Sequence, residues 1–109
     1  MTRGQEYVFG IKRYLKKAVD YLNRRSMDEF LKDDMAFDAM CFVIKTISEL
    51  AQDGAEYTEV SQTFDSEDLN YLSSLSEEVF LNDNISLDKI YEFASFKSME
   101  ILLKISFKK

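Results

Sequence analysis

The sequence predicts an all-α protein, folded as an antiparallel four-helix up-and-down bundle with one short extra helix. Three observations lead there. The chain contains no proline and only three glycines, so little in it breaks a helix or forces tight turns. Apolar residues recur at alternating steps of three and four in several stretches, the spacing that lines one face of a helix. Serine or aspartate stands at the head of most of these stretches, where a side-chain oxygen can cap free backbone N–H groups.

The first helix is expected from about Thr2 to Asn23, with Val8, Ile11, Leu15, Ala18 and Leu22 inward and Tyr14 and Tyr21 at the stripe's edge. Ser26-Met27-Asp28-Glu29 places a cap ahead of a first turn rich in acids. A short helix should follow to Leu31 or Lys32, with Phe30 and Leu31 plugging the bundle end.

The central helix occupies Asp33 to Asp53. Phe37, Met40, Ile44, Ile47 and Ala51 form one stripe, and Ala36, Val43 and Leu50 a second beside it. A helix apolar on two adjacent sides needs partner helices on both flanks. Asp33 or Asp34 can cap its start, and Gly54 suits a left-handed end. Cys41, the one cysteine, sits within this helix and reads as a buried small hydrophobe.

Gly54 to Asp65 is polar and aperiodic apart from Tyr57, Val60 and Phe64, and is expected to be a loop. Asp65 or Ser66 then opens a helix to about Val79, with Leu69, Leu72, Leu75 and Val79 inward. Phe80 to Ile85 connects to a last helix capped by Ser86 and running to about Phe107. Its apolar residues are Leu87, Ile90, Tyr91, Ala94, Ile101, Leu102 and Ile105, and Phe93, Phe96 and Met99 widen that surface. The last and central helices carry more apolar surface than a four-helix monomer hides, so a twofold homodimer is expected.

Composition bounds the chemistry. At 109 residues the chain is one domain, residues 1–109, and its 46% hydrophobic and 31% charged content is ordinary for a globular protein. A formal net charge of −6 gives no general attraction to nucleic acid or anionic membrane. The absence of histidine removes the commonest general base and the commonest transition-metal ligand. The N-terminus carries no apolar signal core and no apolar run reaches about 18 residues, so a reducing, cytoplasmic setting without a membrane partner is expected. Asn84-Ile85-Ser86 matches a glycosylation sequon and counts as chance in that setting.

Two groups of residues are candidates for contact with other molecules. Arg13, Lys16, Lys17, Arg24 and Arg25 lie largely off the apolar stripe of the first helix. Its dipole favours cations near the C-terminal end, so a solvated face is the plain reading and a phosphate or RNA contact the sharper one. Asp33, Asp34 and Asp38 fall within one and a half turns and have the oxygen chemistry of a Mg²⁺ or Ca²⁺ ligand set. Acids at a helix start are favoured without a metal, and no ligand-loop pattern is present, so no metal and no cofactor are expected.

Tyr21-Leu22, Ser26-Met27-Asp28-Glu29-Phe30-Leu31, Asp38-Ala39, Ile47-Ser48-Glu49-Leu50-Ala51 and Leu87-Asp88-Lys89-Ile90-Tyr91-Glu92-Phe93 follow one another in order. In that order and spacing the chain resembles the HepT-like branch of the HEPN superfamily, small helical proteins often encoded beside a minimal nucleotidyltransferase. The resemblance covers nearly the whole chain and implies a homodimeric helical bundle with a nucleotidyltransferase-type partner. Active members resemble metal-independent ribonucleases of toxin–antitoxin pairs and use an Arg, a polar neighbour and a following His near the end of the third long helix. The matching stretch runs from Leu75 to Asp83, with Ser76 at the Arg position, Glu77 and Glu78 beside it, Leu81 further on, and no His. RNA cleavage by 2′-hydroxyl attack needs a near-neutral base and a cation to offset the phosphorane's charge. Serine supplies neither, and two glutamates repel phosphate. The expectation is a non-catalytic, homodimeric protein-binding module, the alternative being a residual RNA binder or ribonuclease toxin using the five cations of the first helix and its end.

Overall fold

A computed structural model describes residues 1–107, leaving aside the side chain of Asn82. Among these residues every regular element is helical. Helix α1 spans Arg3–Leu22. Thr2 and Gln5 form a reciprocal capping box at its start: the Thr2 hydroxyl accepts from the Gln5 N–H and the Gln5 side chain accepts from the Thr2 N–H. Ile11, Leu15, Ala18 and Leu22 are buried as the stripe predicts. The helix stops at Asn23 and Arg24, both left-handed at φ 51° and 59°. Asparagine tolerates this region, whereas arginine seldom enters it.

Helix α2, Met27–Leu31, opens with a second capping box between Ser26 and Glu29 and buries Phe30. Helix α3, Asp34–Gly54, is capped by the Asp33 carboxylate on the Ala36 N–H at 3.0 Å. Met40, Ile44, Ile47 and Ala51 are fully buried, and Ala36 and Val43 join them from the second stripe. Two expectations for this helix change. Cys41 is half-buried rather than enclosed, because position 41 lies one step off the inward stripe. Gly54 is not a left-handed cap: no glycine has positive φ, and Ala55 beyond it is right-handed at φ −60°. Gly54 instead permits close approach, since a Cβ there would stand 3.0 Å from the Tyr7 ring.

The expected loop after Gly54 contains a short helix, α4, Thr58–Thr63, which packs on α1. Val60 and Phe64 are buried, and Tyr57 stacks on Tyr7 with ring centroids 5.3 Å apart. Residues 57, 60 and 64 do follow helical spacing, but six residues hold too little periodicity to register. The fold therefore has two short extra helices, α2 and α4, where one was expected. Helix α5, Ser66–Val79, buries Leu69, Leu72, Leu75 and Val79 as predicted.

A 3₁₀ turn, Leu81–Asp83, leads toward the last helix, which is continuous but not uniform. It consists of α6 (Leu87–Glu92), a π-helical segment (Phe93–Lys97) and α7 (Ser98–Ser106). Serines act here through their side chains. The Ser95 hydroxyl donates to the Tyr91 carbonyl, and the Ser98 hydroxyl donates to the Phe93 carbonyl five residues back at 2.8 Å. The wide turn shifts the face by one residue. Ser98 rather than Lys97 takes the inward position and Phe93 is fully buried, whereas Leu87, one of the helix's apolar residues ahead of the wide turn, is exposed. Lys97 is left to place its ammonium 5.2 Å from the Tyr71 ring centroid.

Contacts between the longer elements run in opposing directions. Tyr7 meets Gly54 and Tyr14 meets Phe42 between α1 and α3. Ser48 meets Ser76 and Gln52 meets Ser73 between α3 and α5. Glu78 meets Lys89 and Asp68 meets Lys104 between α5 and the last helix. Arg25, just past the end of α1, meets Tyr91 near the start of the last helix. The core lies between these elements, with Phe30, Phe64 and Phe93 among its largest fully buried side chains.

Candidate functional site

The residues expected at a degenerate catalytic motif point to different neighbours. The Ser76 N–H donates to the Ser48 hydroxyl at 3.0 Å, so Ser76 contributes backbone to a helix contact. Glu77 is exposed. Glu78 pairs with Lys89 at 3.6 Å, and Leu81 lies exposed on the 3₁₀ turn. Serine, two acids and a leucine so arranged make no cationic or basic centre.

The five cations of the N-terminal region also separate. Lys16 is paired with Asp20 at 2.7 Å, and the Lys17 ammonium lies 5.9 Å from the Tyr21 ring centroid. Arg13 is exposed on the body of α1. A straight continuation of α1 would have put Arg24 close to the same face. The left-handed turn at Asn23 and Arg24 ends that register and swings Arg24 and Arg25 toward the last helix.

Arg25 is committed to structure. Its guanidinium donates to the Tyr21 and Leu22 carbonyls at the end of α1 and to Asp33 at 2.9 Å. It thereby satisfies carbonyls that helix ends leave open. Asp33 answers on the other side: the Ala36 N–H and the Arg25 guanidinium hold its carboxyl below the usual carboxylate range.

Between the end of α1 and the π-helical segment lies a cleft of about 240 Å³. Val19, Leu22, Ala94 and Met99 supply apolar wall, and Arg24, Arg25, Tyr91 and Ser95 supply polar groups. The Tyr91 hydroxyl donates to the Arg25 carbonyl at 3.4 Å, a long bond. π-Helical turns of this kind often mark functional positions. The sequence signals for Arg24 and Arg25 are present, but Tyr91, Ser95 and Met99 were read only as parts of a helix. Two serines within the helix, at 95 and 98, are the one sequence feature that hints at a local irregularity. A broader and more open concavity of about 550 Å³ lies beside the start of α3, lined in part by Tyr21, Met35 and Ala39.

The last helix carries a second feature. Phe96, Met99, Leu103 and Phe107 fall within about 80° of one another on its outer side and are 66%, 42%, 50% and 83% exposed. Lys97, Glu100 and Lys104 lie nearby along the same helix and form ion pairs with one another or with Asp65 and Asp68. Phe42 and Met35 on α3 are exposed too, Phe42 meeting Tyr14 edge to face at 6.2 Å.

Among the described residues no group of three or more His, Cys, Asp or Glu is placed to hold a metal ion, and of the three acids near the start of α3, Asp33 is used as a cap. Burial pushes the Cys41 thiol up, which keeps it protonated and weakly nucleophilic. Among the described residues no helix is long and apolar enough to cross a membrane. Comparison of the chain with protein-family models, with curated proteins and with solved structures gave no match.

Proposed function

We propose that this chain is a non-catalytic helical binding module that pairs with a second copy of itself through the outer face of its last helix. The observation that carries the reading is the stripe of Phe96, Met99, Leu103 and Phe107. Such a stripe presents on the order of 400 Å² of apolar surface, the size of the largest patch on an ordinary monomer, which is often functional. A stable dimer covers about 800 Å² per partner, so the stripe accounts for the apolar half and the neighbouring charges for a polar rim. A twofold pairing needs one self-complementary patch, which a row of Phe, Met, Leu and Phe supplies.

The scaffold is read as an antiparallel four-helix up-and-down bundle of α1, α3, α5 and the last helix, with α2 and α4 as short additions. This arrangement agrees with the HepT-like resemblance, which adds a nucleotidyltransferase-type protein as a second partner of the dimer. The lack of histidine and the serine at position 76 support a binding role over ribonuclease chemistry. RNA binding draws less support, since the five cations divide between the body of α1 and its end.

Light scattering on the purified chain tests the pairing. Twice the chain mass at about 50 μM, falling to one chain mass in Leu103→Glu with melting unchanged, is the expected result. A wild-type monomer at that concentration would overturn it. Mixing the dimer with a nucleotidyltransferase-type protein encoded beside it then tests the second partner.

A further inference from the structure

The cleft between the end of α1 and the π-helical segment has a charge arrangement that the fold does not consume. The end of a helix is ordinarily hostile to anions, because its open carbonyls carry partial negative charge. Here Arg25 covers the Tyr21 and Leu22 carbonyls, and the Asn23 N–H covers that of Val19. The nearby carboxylates are also engaged: Asp20 with Lys16 and Asp33 with Arg25. What remains at the mouth is Arg24. Its guanidinium makes no hydrogen bond or ion pair among the described residues, and its side chain lines the cleft.

The interior has a different character. Leu22 and Ala94 are buried in the wall and Met99 closes one side, so a ligand entering there leaves water for carbon. The Ser95 hydroxyl proton is spent on the Tyr91 carbonyl, leaving that oxygen as an acceptor. The Tyr91 hydroxyl makes only a 3.4 Å bond and has little to lose by turning to a stronger acceptor. The volume of about 240 Å³ is below that of drug-sized pockets and matches a ligand of few heavy atoms.

We propose that this cleft binds a small organic anion, a carboxylate or phosphate monoester carrying a short apolar chain. Arg24 meets the anion as a guanidinium fork, Tyr91 donates a second hydrogen bond, and the chain lies against Leu22, Ala94 and Met99. A guanidinium suits both acid types because its paired N–H groups match two oxygens of either. Met99 borders both this cleft and the stripe proposed for self-pairing.

The test is an amide-resolved NMR titration of the full chain at constant ionic strength, with butyrate, butyl phosphate, inorganic phosphate and butanol as probes. Saturable shifts at Arg24 and from Tyr91 to Met99, with a Kd on the order of 1 mM for butyrate or butyl phosphate, are expected. Which of the two binds tighter separates a carboxylate ligand from a phosphate ester. Arg24→Gln should weaken the better probe at least tenfold, whereas Arg13→Gln, a cation on the body of α1, should leave it unchanged. Melting curves establish that both variants fold. Three results would overturn the site: no saturable shift up to about 50 mM, butanol binding as well as butyrate, or equal weakening by Arg13→Gln and Arg24→Gln.

Discussion

The hydroxyl of Ser48 on α3 stands against the backbone of α5, donating to the Leu72 carbonyl at 2.7 Å and accepting from the Ser76 N–H at 3.0 Å. Those two groups are the ones a regular helical turn would pair with each other. A buried side chain therefore joins two helices through a main-chain link, and only a small hydroxyl residue fits. Ser48→Ala should cost about 1 kcal/mol, because two hydrogen bonds between the helices are lost while the α5 backbone keeps its own helical partners within reach. Ser48→Leu should cost about 3 kcal/mol by forcing the helices apart. Ser76→Ala should stay within about 0.5 kcal/mol, since its side chain is not used. Urea unfolding of the three variants checks the order, and a Ser76→Ala variant as unstable as Ser48→Leu would show that the link is misassigned.

Glycines 10 and 54 should respond to alanine in opposite directions. Added at Gly10, a Cβ meets the two Leu50 methyl carbons at 3.2 and 3.9 Å, the mobile end of a half-buried side chain. Relief of helix-interior glycine is worth about 1 kcal/mol, so Gly10→Ala should stabilise by about 0.5–1 kcal/mol. At Gly54 the same atom meets the Tyr7 ring at 3.0 Å, and that ring is fixed by its stack on Tyr57. Gly54→Ala should destabilise by about 1–2 kcal/mol. Thermal melts of both variants decide the signs.

Among the described residues the buried Tyr71 hydroxyl has no hydrogen-bond partner. Burial, with Glu92, Glu78 and Glu100 nearby, pushes its ionisation well above that of an ordinary tyrosine. Tyr71→Phe removes an unsatisfied group and should leave stability unchanged or raise it by about 1 kcal/mol. Spectrophotometric titration should show one tyrosine ionising after the rest, and the late step should vanish in Tyr71→Phe. A clear loss of stability in that variant would mean that the hydroxyl is paired in solution.

Acid should weaken the fold through three hydrogen-bonded carboxylates, two of them at helix caps. Glu29, Asp33 and Glu59 are each held below their ordinary values, first by the Ser26 N–H, the Ala36 N–H and the Thr2 hydroxyl respectively. A carboxyl depressed in the folded state stabilises it above the unfolded pKa and loses that contribution as pH falls through the folded one. The ordinary values are 4.5 for Glu29 and Glu59 and 3.8 for Asp33, so melting temperature should begin to fall below about pH 4.5 and continue below 3.8. Asp33→Asn retains a capping oxygen but not the charge facing Arg25, and should melt with a shallower acid slope. An unchanged slope would remove Asp33 from the account.

Much of the architecture is written in local pattern. The buried stripes of α1, α3 and α5, the caps at Ser26, Asp33 and Ser86, and the acid-rich start of α2 follow from spacing and side-chain chemistry within a few residues. The sites were less legible. Arg24 and Arg25 looked like an extension of a basic face, yet two left-handed residues at the end of α1 redirect them. Ser76 drew notice as a motif position, yet its backbone rather than its side chain is what α3 touches.

By itself the sequence determined that this chain is helical, where its long helices begin, and which side of α1, α3 and α5 turns inward, because apolar periodicity and capping act over one or two turns. Tertiary structure alone decided three things. Gly54 admits the Tyr7 ring instead of turning the chain, Thr58–Thr63 folds against α1, and the last helix widens so that Ser98 enters the core in place of Lys97. Each depends on how closely a distant element approaches. That distance is set when helices pack, when excluding a lysine from the core and filling the space beside a tyrosine ring outweigh the preference of a few residues for a regular turn.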